Sequence, residues 1–125
     1  MGLLSGIMGH ASEVSIEKIS KEFQPILLED ERIEKAYKLI RDMLVFTSKR
    51  LILVNKQGIT GSKIDYRSIP YSSIKMFSKE SAGIADLDAE LKIWLTGETE
   101  PTLKQEFRRG ENINEAYRVL SRHVL

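Results

Sequence analysis

Cysteine is absent from the 125 residues, which excludes disulfides, thiolate nucleophiles and thiolate metal sites. There are two histidines, His10 in a glycine-rich stretch and His123 near the end, at no spacing that pairs them as metal ligands. No apolar run approaches the ~18 residues of a membrane span. The opening MGLLSGIMGHAS has no basic residue and too short an apolar core for a secretory signal, and Gly6 stands where a myristoylation motif needs Ser or Thr. G-x-S-x-G, P-loop and dinucleotide fingerprints are all missing. A net charge of only +1, with no aromatic platform among the basic residues, argues against nucleic acid. These absences point away from an enzyme and imply no cofactor and no metal.

The residues present describe a folded single domain: 42% are hydrophobic, 30% are charged, and there is no low-complexity segment or internal repeat. Charge is unevenly spread. Residues 32–67 hold nine basic and three acidic side chains, and residues 68–106 hold four and seven. One end of the folded domain could therefore suit anions, or the charges could simply solvate outward faces. Residues 1–12 read as an arm with apolar positions Leu3, Leu4, Ile7 and Met8. Residues 13–24 read as a helix capped by Ser12, with Ile16, Ile19 and Phe23 in one stripe and Pro25 ending it.

From Arg32 the period changes to two. Ile33, Tyr37 and Leu39 are expected on one face, interrupted by Lys35, and Ala36, Lys38 and Ile40 on the other. After a tight turn at Arg41-Asp42, strands are expected at 43–47, 50–55, 63–68 and 71–79, separated by Thr-Ser-Lys, Asn-Lys-Gln-Gly and Gly-Ser turns. Strict alternation marks residues 86–95 as a half-buried strand, and 102–108 make a seventh. A final helix follows, with Asn112 and Glu115 as a capping box and an apolar stripe of Ile113, Ala116, Tyr117, Leu120 and Val124. Seven meandering strands cannot stay flat without long exposed edges. The expected fold is mainly β, a partly open barrel of seven antiparallel strands in two orthogonal sheets. The C-terminal helix caps it, and an arm and helix over 1–28 precede a domain over 29–125.

VFTSKRLILVNKQGITGSKIDYRSIPYSSI and the later AGIADLDAELKIW, in that strand order, resemble the bacterial pleckstrin-homology (PH-like) domain family, over about residues 29–123. The resemblance implies small stand-alone bacterial proteins that form ring-like homo-oligomers and whose molecular role is unestablished. A cytoplasmic location is expected, which the absence of cysteine permits. Eukaryotic namesakes often bind inositol phospholipids through basic residues around the first hairpin. Here Lys38 precedes the turn, but Arg41, Asp42 and Met43 follow it, so the lipid-binding pattern breaks at its final Arg. A two-residue turn is also too short to wrap a headgroup.

The leading expectation is a non-enzymatic, self-assembling interaction module whose partners are further copies of itself and a protein. Phe77 and Trp94, aromatics on the charged sides of their strands, are the candidate oligomer interface. The alternative is a peripheral membrane or anionic-ligand module. Its candidate anion-binding residues are Lys38, Arg41, Lys49 and Arg50, the densest basic group, which hairpin turns could gather at one sheet end. Without that role these cations protect edges and keep the chain soluble. Asp86, Asp88 and Glu90, two apart on one strand, read as a solvated face.

Overall fold

A computed structural model describes residues 10–81, 89–108, 111 and 113–125. Among the described residues, eight strands form two antiparallel sheets. β1 (Ser12–Glu13), β2 (Ile33–Lys38), β3 (Met43–Thr47), β4 (Arg50–Gln57) and β5 (Lys63–Pro70) lie side by side in chain order, and β6 (Ile74–Ser81), β7 (Ala89–Leu95) and β8 (Leu103–Phe107) make the second sheet. α1 (Ile16–Phe23) and α2 (Ile113–Val124) complete the chain. The seven expected strands are present, with β1 added, and the C-terminal helix stands where its stripe placed it. The sheets do not close into a barrel. One seam is stapled: Ser12 and Glu13 pair with β2, while Ala11 bridges to Phe107 of β8 and exchanges backbone hydrogen bonds of 2.9 and 2.8 Å with Glu106 and Arg108.

Why the runs Met43–Phe46 and Leu51–Val54 are continuously apolar becomes clear from their two faces. Leu44, Phe46, Leu51 and Leu53 point between the sheets, where Leu91, Ile93, Leu103 and Phe107 meet them under the buried stripe of α2. Met43, Val45, Ile52 and Val54 point the other way, into a second cluster sealed by Ile19 and Phe23 of α1. A strand buried on both faces has no polar alternation. Burial of a side chain such as Phe23, fully inaccessible, contributes about 2–3 kcal/mol, so α1 is a layer of the fold. Ser12 does not cap α1. It is drawn into β1, where β2 satisfies its backbone, and the helix starts after Ser15. Asn112 lies outside the described residues, and Glu115 reaches Lys35 at 2.7 Å.

Two register shifts correct the simple alternation. One between Ile33 and Lys35 turns Ile33 toward the α1 side with Ala36, leaving Tyr37 and Leu39 inward. The extra residue of a bulge reverses the faces beyond it. The other, between Ile74 and Met76, sets which residues of β6 face the core.

Glu31 joins the loop after α1 to the hairpin β3–β4. Its side chain is wholly inaccessible. It accepts hydrogen bonds from Thr47 Oγ1 (2.6 Å), Arg50 Nε (2.8 Å), Arg50 Nη2 (2.9 Å) and the Leu28 N–H (3.0 Å). Arg50 also donates to Ser68 Oγ and the Ile26 carbonyl. Burial alone would raise the Glu31 carboxyl. The hydrogen bonds from Arg50, Thr47 and Leu28, and the Arg50 charge, outweigh it and lower the value from 4.5 to about 2.

Because the folded value lies below the unfolded one, this stabilisation is complete above pH 4.5 and fades as pH falls toward 2. The loss should amount to about 2 kcal/mol by pH 3, measurable as urea unfolding at neutral pH against about pH 3, and Glu31→Gln should flatten that slope. Arg50→Ala leaves the carboxylate buried without its cation and should remove about 3–5 kcal/mol at neutral pH.

Candidate functional site

Successive turns of a meander alternate between the two ends of a sheet. The β2–β3 turn and the β4–β5 loop therefore share one end. The first is a two-residue turn, Ile40–Arg41, closed by the Leu39 N–H donating to the Asp42 carbonyl at 2.9 Å. The second runs through Gly58-Ile59-Thr60-Gly61, where the Gly61 N–H meets the Gly58 carbonyl at 3.2 Å. Gly58 and Gly61 have φ of 82° and 70°, a region that L side chains resist, which is why the turn carries a glycine at each end.

The two loops are tied together. Arg41 Nη2 donates to the Gly58 carbonyl at 2.6 Å. Asp42 is buried, and its carboxylate accepts from the Lys56 N–H at 2.8 Å and from Asn55 Nδ2 at 3.4 Å. Between the loops lies a shallow cleft of about 390 Å³ lined by Lys38, Arg41, Lys56, Ile40, Ile59 and Ile64, with Thr60 and Gly61. No carboxylate lines it among the described residues. Ile40 is 73% exposed and Ile59 fully exposed, the most accessible large apolar side chains of the two loops. Three cations around two protruding isoleucines form a tip that is both basic and apolar.

The candidate anion-binding residues divide between the two ends of the sheet. Lys38 and Arg41 belong to the tip. Lys49 and Arg50 stand at the other end of β3, on the order of 20 Å away at ~3.3 Å per residue, and they are engaged by carboxylates: Lys49 with Asp30 at 3.2 Å and Arg50 with Glu31. One intervening strand separates consecutive turns, so the four cannot converge. Lys56 was missed. Its signal was the third turn's return to the first turn's end, where basic residues flanking both belong together.

The two aromatics also part ways. Trp94 faces outward, opposite Met76 in the register and half-buried. Phe77 does not share the outer face with it. The register shift in β6 sets Phe77 opposite the buried Ile93, and its ring meets Tyr117 of α2 edge-on at 5.2 Å. Of the acidic strand face, Asp86 and Asp88 lie outside the described residues, and Glu90 is 3.9 Å from Lys92. Among the described residues no group of His, Asp and Glu side chains is arranged to hold a metal ion.

This fold and tip define a pleckstrin-homology-like domain. The family model described as "Bacterial PH domain" matches residues 2–124, and the chain belongs to that family. It is 50% identical over 121 residues to the uncharacterized protein YjqA of Bacillus subtilis (strain 168), covering 97% of each chain. It is 32% identical over 111 residues to YozO of the same organism, covering 89% of this chain and 94% of that one. The crystal structure of a protein with a pleckstrin-homology domain from Shewanella loihica PV-4 superposes with a TM-score of 0.83 at 42% identity, covering 94% of this chain and all of the other. A pleckstrin homology domain from Shewanella amazonensis SB2B gives 0.72 at 48% identity, with 98% of each chain covered.

Asp42 holds the first turn to β4 through a buried carboxylate. Asp42→Ala should therefore lower stability by about 1–3 kcal/mol in urea unfolding and accelerate amide exchange at Lys56.

Proposed function

We propose that this protein is a non-enzymatic interaction module that meets anionic partner surfaces with the tip formed by the β2–β3 turn and the β4–β5 loop. One observation carries this reading: Lys38, Arg41 and Lys56 surround Ile40 and Ile59, which stand out into solvent. Isoleucines that enter the boundary of a bilayer, ringed by cations that meet its anionic headgroups, supply both halves of peripheral membrane attraction. Enclosure of a single headgroup is a poorer match, since the turn has two residues and the Arg41 guanidinium already donates to the Gly58 carbonyl.

Flotation with vesicles of anionic lipid tests the reading. Binding should be present at low salt and weaken at high salt. It should fall by about a hundredfold in K38A/R41A/K56A, at ~1 kcal/mol for each cation, and be lost in I40D/I59D. Absence of binding to anionic vesicles at low salt would remove this reading.

The second reading is self-assembly in the bacterial cytoplasm, in which repeated copies give avidity to a weak surface for a protein or lipid partner. It is favoured by Trp94 and the 46%-exposed Met76 lying side by side on the outer face of the three-stranded sheet. A ring requires two different surfaces to meet around an axis. Native mass spectrometry should give a closed multiple of the chain mass, and W94A/M76A should lower it.

A further inference from the structure

We infer that the groove between α1 and the start of β2 is a binding site for an aliphatic monocarboxylic acid, with Arg32 meeting the carboxylate and the hydrocarbon tail lying along α1. The site is separate from the tip, at the opposite end of β2, and rests on neither reading above.

The groove has a volume of about 700 Å³, larger than the cleft at the tip. Its lining comes from α1 (Ile16, Gln24), from the turn after it (Leu27, Leu28) and from the start of β2 (Arg32, Ile33). Ile16 and Gln24 lie eight residues apart on one side of α1, while Ile19 and Phe23 carry the neighbouring side into the core. Leu27 and Ile33 rest against that same core cluster, so the groove has an apolar floor. The Val14 N–H donates to the Ala36 carbonyl at 3.0 Å, which starts α1 beside Ala36, whereas Arg32 stands beside Ser48. That offset of four strand residues gives a length of ~13 Å at ~3.3 Å per residue.

The walls are pinned. The Leu28 N–H donates to the Glu31 carboxylate and the Glu31 N–H to the Leu28 carbonyl, both at 3.0 Å. Arg50 Nη2 holds the Ile26 carbonyl at 2.8 Å. Ser48 fixes the Arg32 backbone on both sides, its Oγ accepting from the Arg32 N–H at 3.2 Å and its own N–H donating to the Arg32 carbonyl at 2.9 Å. A preformed, mainly apolar cleft with a few placed polar groups is the usual form of a small-molecule site, and fixed walls lower the ordering cost of binding.

Arg32 selects the head of the ligand. Its backbone is held, yet its guanidinium has no hydrogen-bond or ion-pair partner among the described residues. The neighbouring Glu31 is spent on Arg50, and Glu29 is exposed at the rim, where solvent screens its charge. A guanidinium accepts a carboxylate with two parallel hydrogen bonds. The other lining groups select the tail. A peptide lying here would need a partner for each N–H and C=O. The Ser20 hydroxyl already donates to the Ile16 carbonyl at 2.8 Å, and the Glu31 carboxylate is saturated. A linear hydrocarbon asks for no hydrogen bond, and Ile16, Leu27, Leu28 and Ile33 give it apolar contact.

Titration of the full chain with hexanoate, octanoate and decanoate, followed by calorimetry and two-dimensional amide NMR, tests the site. Decanoate should bind, shift the amides of Ser20, Gln24 and Ile33, and leave those of Ile40 and Ile59 in place. Each added methylene should tighten binding by about fourfold. Decanol keeps the tail without the charge and should bind about tenfold to a hundredfold more weakly. R32Q should cost decanoate the same factor and leave decanol unchanged, and L28D should weaken both. Thermal melts of both variants should coincide with the parent, because Arg32 and Leu28 are exposed. The inference is overturned by no decanoate binding at millimolar concentration, by affinity indifferent to chain length, by decanol matching decanoate, or by R32Q binding decanoate as the parent does. Amide shifts confined to the tip would also overturn it. So would displacement of decanoate by a lower concentration of acetyl-Ala-Leu-Leu, which would assign the groove to a peptide C-terminus.

Discussion

The buried ion pair of Glu31 and Arg50 is the constraint on which the arrangement depends. A carboxylate with no solvent access is tolerable only with its charge matched and its lone pairs filled, and Glu31 has four donors within 3.0 Å. Those donors come from the loop after α1, the end of β3 and the start of β4, and Arg50 reaches on to β5 through Ser68. Four separately folded segments thus have one permitted relative position. The network extends to the second helix. The Tyr71 hydroxyl donates to the Thr47 carbonyl at 2.7 Å, His123 stacks on Tyr71 with ring centroids 4.6 Å apart, and its Nε2 lies 2.9 Å from Glu34. Thr47 and Arg50 of the phrase FTSKR and Tyr71 of IPY are the material of this joint.

The joint and the tip lie at opposite ends of β3 and β4, and the separation divides labour. At the joint end, Lys49 and Arg50 are consumed by carboxylates and hold the fold. At the tip, the Asp42 carboxylate is turned inward to backbone and amide donors, and Lys38, Arg41 and Lys56 line the cleft. Basic residues of equal formal charge therefore differ in what they can do, because at one end the field is cancelled within hydrogen-bonding distance.

Much of the fold was legible from the sequence. Alternation at 86–95, glycine turns at 58 and 61, and the stripe of α2 located their elements, since each depends on local geometry. The same rule misread Ile33 and Phe77, where a single-residue register shift reverses the faces. It missed β1 because two residues carry no period. The candidate site was half legible. Lys38 and Arg41 were found by density of charge, but density in the chain also admitted Lys49 and Arg50, which a strand carries to the far end.

The sequence by itself determined the class of structure, the order of strands, the family and the apolar runs that make the core, because these follow from side-chain periodicity and short-range turn chemistry. Tertiary structure alone decided that those runs are buried on both faces, with α1 supplying the outer layer. It also decided which cations stay exposed and which are neutralised, and that β5 stands at an open edge. Each of these depends on distances between residues far apart in the chain, where Coulomb and packing energies act and sequence spacing carries no information.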